Sequence, residues 1–186
     1  MQVFIDFEAS SLAKDSYPIE VGWVFADGRC EGHLIRPAPG WTEWNADAEA
    51  IHHIARDTLE RNGTPHDVVA ARMIEALTGH RLYASAPSWD GKWLSTLLRA
   101  AGLPRHALRL QDSEEAQREA VAALLAPHVP AEEMNATIAN AVTIAEFRFR
   151  AGPVRHRAVA DAEEERQRWI AVQRVAAELA GIHASG

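Results

Sequence analysis

Two carboxylates stand one residue apart near the start of the chain, in the stretch Val3-Phe4-Ile5-Asp6-Phe7-Glu8-Ala9-Ser10-Ser11-Leu12. Val3, Phe4 and Ile5 read as a buried strand, because β-branched and aromatic side chains suit a packed, pleated surface. A strand alternates its faces with a period of two, so Asp6 and Glu8 project on one side, the side that Phe4 begins. Two acids at the end of a buried strand repel each other and lose solvation. That strain is relieved in one of three ways: one acid takes up a proton, a Lys or Arg pairs with them, or a divalent cation sits between them.

Further acids lie downstream. Asp90 follows a short strand, Arg81 to Ala84, and the turn Ser85-Ala86-Pro87-Ser88-Trp89, and it opens a helix. The ordinary role of an aspartate there is a helix N-cap or a first-turn acid. His156 and Asp161 are five residues apart at the start of the last helix. That spacing is about 140° around a helix axis, so they share no face if both are helical. They converge only if His156 sits in the loop before the helix, which Pro153 favours, with Asp161 one turn in. Alone, His156 reads equally as a surface histidine and Asp161 as a helix-dipole contact. Beside them Phe147-Arg148-Phe149-Arg150 and Arg155-His156-Arg157 place four arginines within ten residues. Such a segment binds phosphate and stacks a base, or is an exposed face with Phe147 and Phe149 in the core.

The elements that carry these residues follow from apolar spacing. After a polar loop from Ser10 to Ser16, Ile19 to Phe25 and Gly32 to Arg36 read as two more strands, joined by an Asp27-Gly28 turn. Residues 37–50 read as a loop followed by a helical start. Helices are expected over Pro65 to Leu77, Asp90 to Ala101, Ser113 to Leu125 and Ala131 to Glu146, and from about Arg157 to Ala180. Leu108 to Leu110 is a candidate fifth strand, and Asp112 after it a helix N-cap. The six tryptophans sit mostly at helical or strand core spacing, with Trp89 and Trp93 flanking Asp90. Strands crowd the first half and helices the second. The expected class is α/β, a mixed central sheet of about five strands flanked by helices, in one domain over 1–186.

Composition narrows the function. At 186 residues with 47% hydrophobic and 24% charged residues, the chain is an ordinary globular one. Cys30 is the only cysteine, which excludes an intrachain disulfide and a thiolate zinc cluster. No stretch reads as a signal peptide or a membrane span, so no membrane association and a cytoplasmic location are expected. The net charge of -7 argues against a protein that coats long nucleic acid. It allows an enzyme that grips one chain end through a local basic patch and bound cations.

Taken in order, Phe4-Ile5-Asp6-Phe7-Glu8-Ala9, Ser88-Trp89-Asp90-Gly91-Lys92-Trp93-Leu94 and His156-Arg157-Ala158-Val159-Ala160-Asp161-Ala162 resemble the motifs of the DEDDh 3'-5' exonucleases. The resemblance runs from Met1 to about Trp169 and takes in Ile19-Glu20-Val21-Gly22 and Ile51-His52-His53-Ile54. It implies a ribonuclease H-like fold and a metal-dependent exonuclease that releases nucleoside 5'-monophosphates from 3' ends of single-stranded DNA or RNA. It also implies two Mg2+ or Mn2+ ions. By the same resemblance Asp6 would bridge them, Glu8 and Asp161 would hold the one beside the attacking water, and Asp90 would hold the other. His156 takes the proton from that water.

Ala9, Ser10, Leu12 and His52 are implied around the terminal nucleotide, with Leu12 as a wedge, while Arg148 and Arg150 are the phosphate candidates. Leu12 in the core and His52 on the surface are the ordinary alternatives. The chain departs from the family pattern where Ala9-Ser10-Ser11 replaces Thr-Thr-Gly, Ser85-Ala86 replaces His-Asn, and His53 replaces a glycine. These departures bear on substrate preference, since all five catalytic positions are filled. Relatives of this size are often homodimers, and Ser113 to Glu146 is the candidate interface. The competing function is a nucleic-acid-binding or regulatory module that kept the fold and lost turnover.

Overall fold

The structure is a computed structural model and describes residues 1–149 and 156–182. A six-stranded mixed sheet forms its centre, in the order β4-β3-β2-β1-β5-β6. The strands are β1 (Gln2–Ala9), β2 (Pro18–Phe25), β3 (Cys30–Arg36), β4 (Thr64–Pro65), β5 (Arg81–Ala84) and β6 (Leu110–Asp112). β1 runs antiparallel to β2, and β2 to β3. β5 pairs parallel with β1 and β6 parallel with β5.

About five strands were expected and six are present. The extra one, β4, is a two-residue edge pairing against Ile35 and Arg36, too short to leave an alternating pattern. Proline is tolerated at such an edge. The fifth expected strand lies at Leu110–Asp112 rather than Leu108 to Leu110, because Leu108 is drawn into the core beside Leu97 and Leu98.

Seven helices accompany the sheet among the described residues: α1 (Ala46–His52), α2 (Arg56–Asn62), α3 (His66–Leu77), α4 (Pro87–Ala100), α5 (Ser113–Leu125), α6 (Ala131–Arg148) and α7 (Ala158–Leu179). Helix α2, within a stretch with no expected element, buries only Leu59 and so lacks an amphipathic signature. Asp112 caps α5 as expected, its Oδ1 accepting from Glu114 N–H at 2.9 Å. No helix is long and apolar enough to cross a membrane among the described residues.

Strand β1 is apolar on both faces because helices cover both. Val3, Ile5 and Phe7 pack with Val69 and Met73 of α3 and with Trp93, Leu94 and Leu97 of α4. Phe4, on the opposite face, meets Tyr83, Ala116 and Trp169, the last with ring centroids 5.8 Å apart. Asp6 and Glu8 continue the Phe4 face, so they point toward the side on which α7 packs. Gly22 and Gly32 let α7 approach that closely: a Cβ on Gly22 would overlap the backbone of Ala158 and Val159, and one on Gly32 the Val159 side chain.

Candidate active site

Strand pairing puts Asp6 opposite Gly22 and Glu8 opposite Glu20, and the ladder shifts register between Glu8 and Ala9. Such a bulge bends the strand and re-aims the side chains next to it. Helix α4 begins at Pro87 rather than at Asp90, which leaves Asp90 in its first turn and only 2% exposed. An ordinary first-turn acid faces solvent, so burial removes Asp90 from that class.

His156 and Asp161 take the arrangement required for convergence. His156 lies before α7 with φ of 44°, a left-handed backbone that is uncommon for a side-chain-bearing residue. Asp161 lies in the first turn of α7, where its Oδ2 accepts from the Arg157 N–H at 3.2 Å. Glu8, His156 and Asp161 each offer one ligand atom, and these atoms lie within 4.8 Å of one another.

The electrostatics tie the remaining acids to the same place. Burial holds the Asp6 carboxyl well above its ordinary range, and the charges of Asp90, Glu8, Asp161 and Glu165 push it further. Glu8 is pushed up to about 8, by burial first, then by Asp161 and Glu20, with Arg157 opposing. Burial pushes Asp90 up to about 7, against hydrogen bonding from the backbone at Ala86 and Phe7. Asp161 is raised by burial as well, with its backbone hydrogen bond and His156 opposing. Glu165, one turn beyond Asp161, accepts a hydrogen bond from the Ser113 hydroxyl at 2.7 Å and is also raised by burial.

Sequence reasoning missed the part played by Glu20. It is 5% exposed in a strand buried along its whole length, and an acid in so apolar a strand was the available signal. Arg157 donates to it from Nε at 3.1 and 3.0 Å and from Nη2 at 2.6 Å, and the Ala158 N–H donates at 3.0 Å.

The expected substrate residues are placed less uniformly. Leu12 is 69% exposed, which excludes the core alternative. His52 is 2% exposed, which excludes the surface one. Its Nδ1 accepts from the Ile54 N–H at 3.1 Å, so the proton sits on Nε2, which is buried without a partner among the described residues. Burial lowers its pKa.

Ala9 is buried, with its side chain in the core. Ser10 has no free polar group: its N–H goes to Tyr17 O and its carbonyl accepts from Asn45 N–H. Its hydroxyl donates to Glu43 at 2.5 Å and accepts from Tyr17 N–H. Ser10 therefore holds the loop at Glu43 and is not free to bind a ligand.

Arg148 is not brought to the acids. It pairs with Glu178 at 2.7 Å, which lies about 25 Å further along α7 than Asp161 by helical rise. Arg150 falls outside the described residues. Phe147, expected in the core if not stacking, is 84% exposed, while Phe149 lies under the Arg168 guanidinium at 4.5 Å. Trp89 is 38% exposed rather than buried and stacks on Trp93. Lys92 and Trp93 donate to Ser16 at 2.9 and 3.1 Å and so tie the loop after β1 to α4.

Desolvated carboxylates with raised affinity for protons, next to an imidazole, are the donor set that a hard divalent cation accepts in place of those protons. A mixed sheet in this order with such a cluster at the end of β1 defines a ribonuclease H-like fold, as expected.

Comparison with solved structures agrees. No family model and no curated protein matches the chain. The complex of E. coli exonuclease I with a dA16 oligonucleotide matches with a TM-score of 0.64 and 13% identity, over 96% of this chain and 42% of that one. The zinc-bound complex of E. coli exonuclease I with single-stranded DNA matches with a TM-score of 0.62 and 13% identity, over 89% and 38%. Exonuclease I from Methylocaldum szegediense gives 0.62 and 15%, over 91% and 40%. The chain thus spans about two fifths of the length of these proteins and shares the fold of that part.

Proposed function

We propose that the chain is a metal-dependent 3'-5' exonuclease of the DEDDh type, acting on single-stranded DNA or RNA and releasing nucleoside 5'-monophosphates. What supports this reading is the grouping of Glu8, His156 and Asp161 within 4.8 Å, with the buried carboxyl of Asp6 raised by the charges of Asp90, Glu8 and Asp161, on a fold shared with exonuclease I. Asp6, Glu8, Asp90 and Asp161 would hold two Mg2+ or Mn2+ ions. Such ions, when bound, polarise a phosphodiester and stabilise the charge on the departing oxygen.

The protein's own groups do the rest. His156, before α7 and beside Glu8 and Asp161, accepts the proton of the attacking water. Leu12, exposed at the rim, packs against the terminal base. Ala9 offers only its backbone to the same nucleotide, and His52, buried with its Nε2, presents no exposed donor to it.

A time course on matched 5'-labelled and 3'-labelled DNA and RNA oligomers in Mn2+ tests the reading. The 3' label is expected to leave at once as a mononucleotide while the 5'-labelled strand shortens stepwise. Internal fragments, or no cleavage, would contradict it.

A further inference from the structure

We infer that Glu20 is a positioning residue: through Arg157 it holds in place the turn that delivers His156 and Asp161. The inference rests on the nuclease reading for its kinetic consequence and on the geometry of β2 and α7 for its substance.

Glu20 lies directly opposite Glu8 in the sheet. By position it could pass for another cation ligand, but its oxygens are already taken. Oε1 receives Nε and Nη2 of Arg157, and Oε2 receives Nε of Arg157 and the N–H of Ala158. A carboxylate that accepts four hydrogen bonds from three charged or backbone donors, with a side chain only 6% exposed, is already occupied.

Those bonds do structural work on α7. Arg157 is the N-cap residue of that helix, and no side chain caps it locally. Glu20 supplies the missing acceptor from a strand 138 residues away in sequence, satisfying an N–H that the first turn leaves open. The fork of Arg157 fixes the residue between His156 and Ala158 in two directions, as a bidentate pair does and a point charge does not. Asp161 closes the turn by accepting from the Arg157 N–H at 3.2 Å. Arg157 is thus gripped by Glu20 through its side chain and by Asp161 through its backbone. His156, in its left-handed conformation, hangs on the adjoining peptide.

A purely electrostatic role makes different predictions, which the variants Glu20→Gln and Arg157→Met separate. In Glu20→Gln an amide nitrogen must face an arginine donor or the Ala158 N–H, so the grip fails without loss of side-chain volume. If Glu20 acts by positioning, each variant lowers kcat roughly ten- to hundredfold with KM within about twofold. The double variant is no worse than the poorer single, because both break one link. Both single variants also weaken Mn2+ binding in calorimetry.

Charge alone predicts opposite signs: removing the anion weakens Mn2+ binding and removing the cation tightens it. Opposite signs, or kcat within about twofold of wild type in both, would overturn the inference. Should Glu20→Gln fail to fold, Arg157→Lys, which keeps charge and loses the fork, must fall between wild type and Arg157→Met. A wild type that binds Mn2+ without cutting overturns the nuclease reading alone, and the Mn2+ affinities still decide this one. A wild type that binds no Mn2+ overturns both.

Discussion

Asp6 and Glu8 bear the cost of the site at the scale of single residues. A carboxyl whose pKa is higher folded than unfolded favours the folded state in its protonated form. That contribution is intact below the ordinary carboxylate values of 3.8 and 4.5, and it is lost as pH rises through about 7 for Asp90 and about 8 for Glu8. Scanning calorimetry of metal-free protein should therefore show Tm falling between about pH 5 and 8. Saturating Mn2+ should restore Tm most at the alkaline end, since cations displace the protons. Asp6→Asn should flatten the metal-free pH dependence and raise Tm at pH 8 while removing the Mn2+ response.

A smaller effect sits at His53, the C-cap of α1, whose φ of 55° is left-handed. Glycine adopts that conformation without strain, so His53→Gly should raise stability by about 0.5–1 kcal/mol in a urea melt. Asp6 and Glu8 were legible in the sequence because their pairing is local. The buried state of His52 was not, since it depends on Trp44, packed edge-on at 6.1 Å, and on the turn at Ile54.

At the scale of elements, the start of α7 and the residue before its N-cap carry Asp161 and His156 to a strand that precedes them by most of the chain. Its docking depends on absent side chains. Gly22→Ala would drive a Cβ into the backbone of Ala158 and Val159, where nothing flexible can yield. Overpacking of this kind costs about 1–3 kcal/mol. A thermal melt should show that loss, and activity should fall further than the folded fraction does, because the displaced turn holds two of the proposed site residues. The long helices were legible from period: α5 has the expected bounds and α7 is within a residue or two of them. Elements without internal periodicity were not. α2 buries only Leu59, and β4 exists only through its pairing with β3. Arg148 shows the same limit, since closeness in sequence to His156 says nothing of a helix end that turns to Glu178.

For the whole molecule, the charge distribution and the fold point the same way. A net charge of -7 leaves little general attraction for a polyphosphate, so under the proposed function cations at the end of β1 would supply the local positive charge that a strand requires. Burial on both faces of β1 keeps those acids poor in water and eager for such ions. The fold matches only about two fifths of exonuclease I, and the match leaves the chemistry to rest on the chain's own acids. Anomalous diffraction at the manganese edge from crystals grown with Mn2+ measures that directly. Peaks between Asp6, Glu8, Asp90 and Asp161 are the predicted result; a map with no peak among these four side chains at saturating Mn2+ would contradict the account.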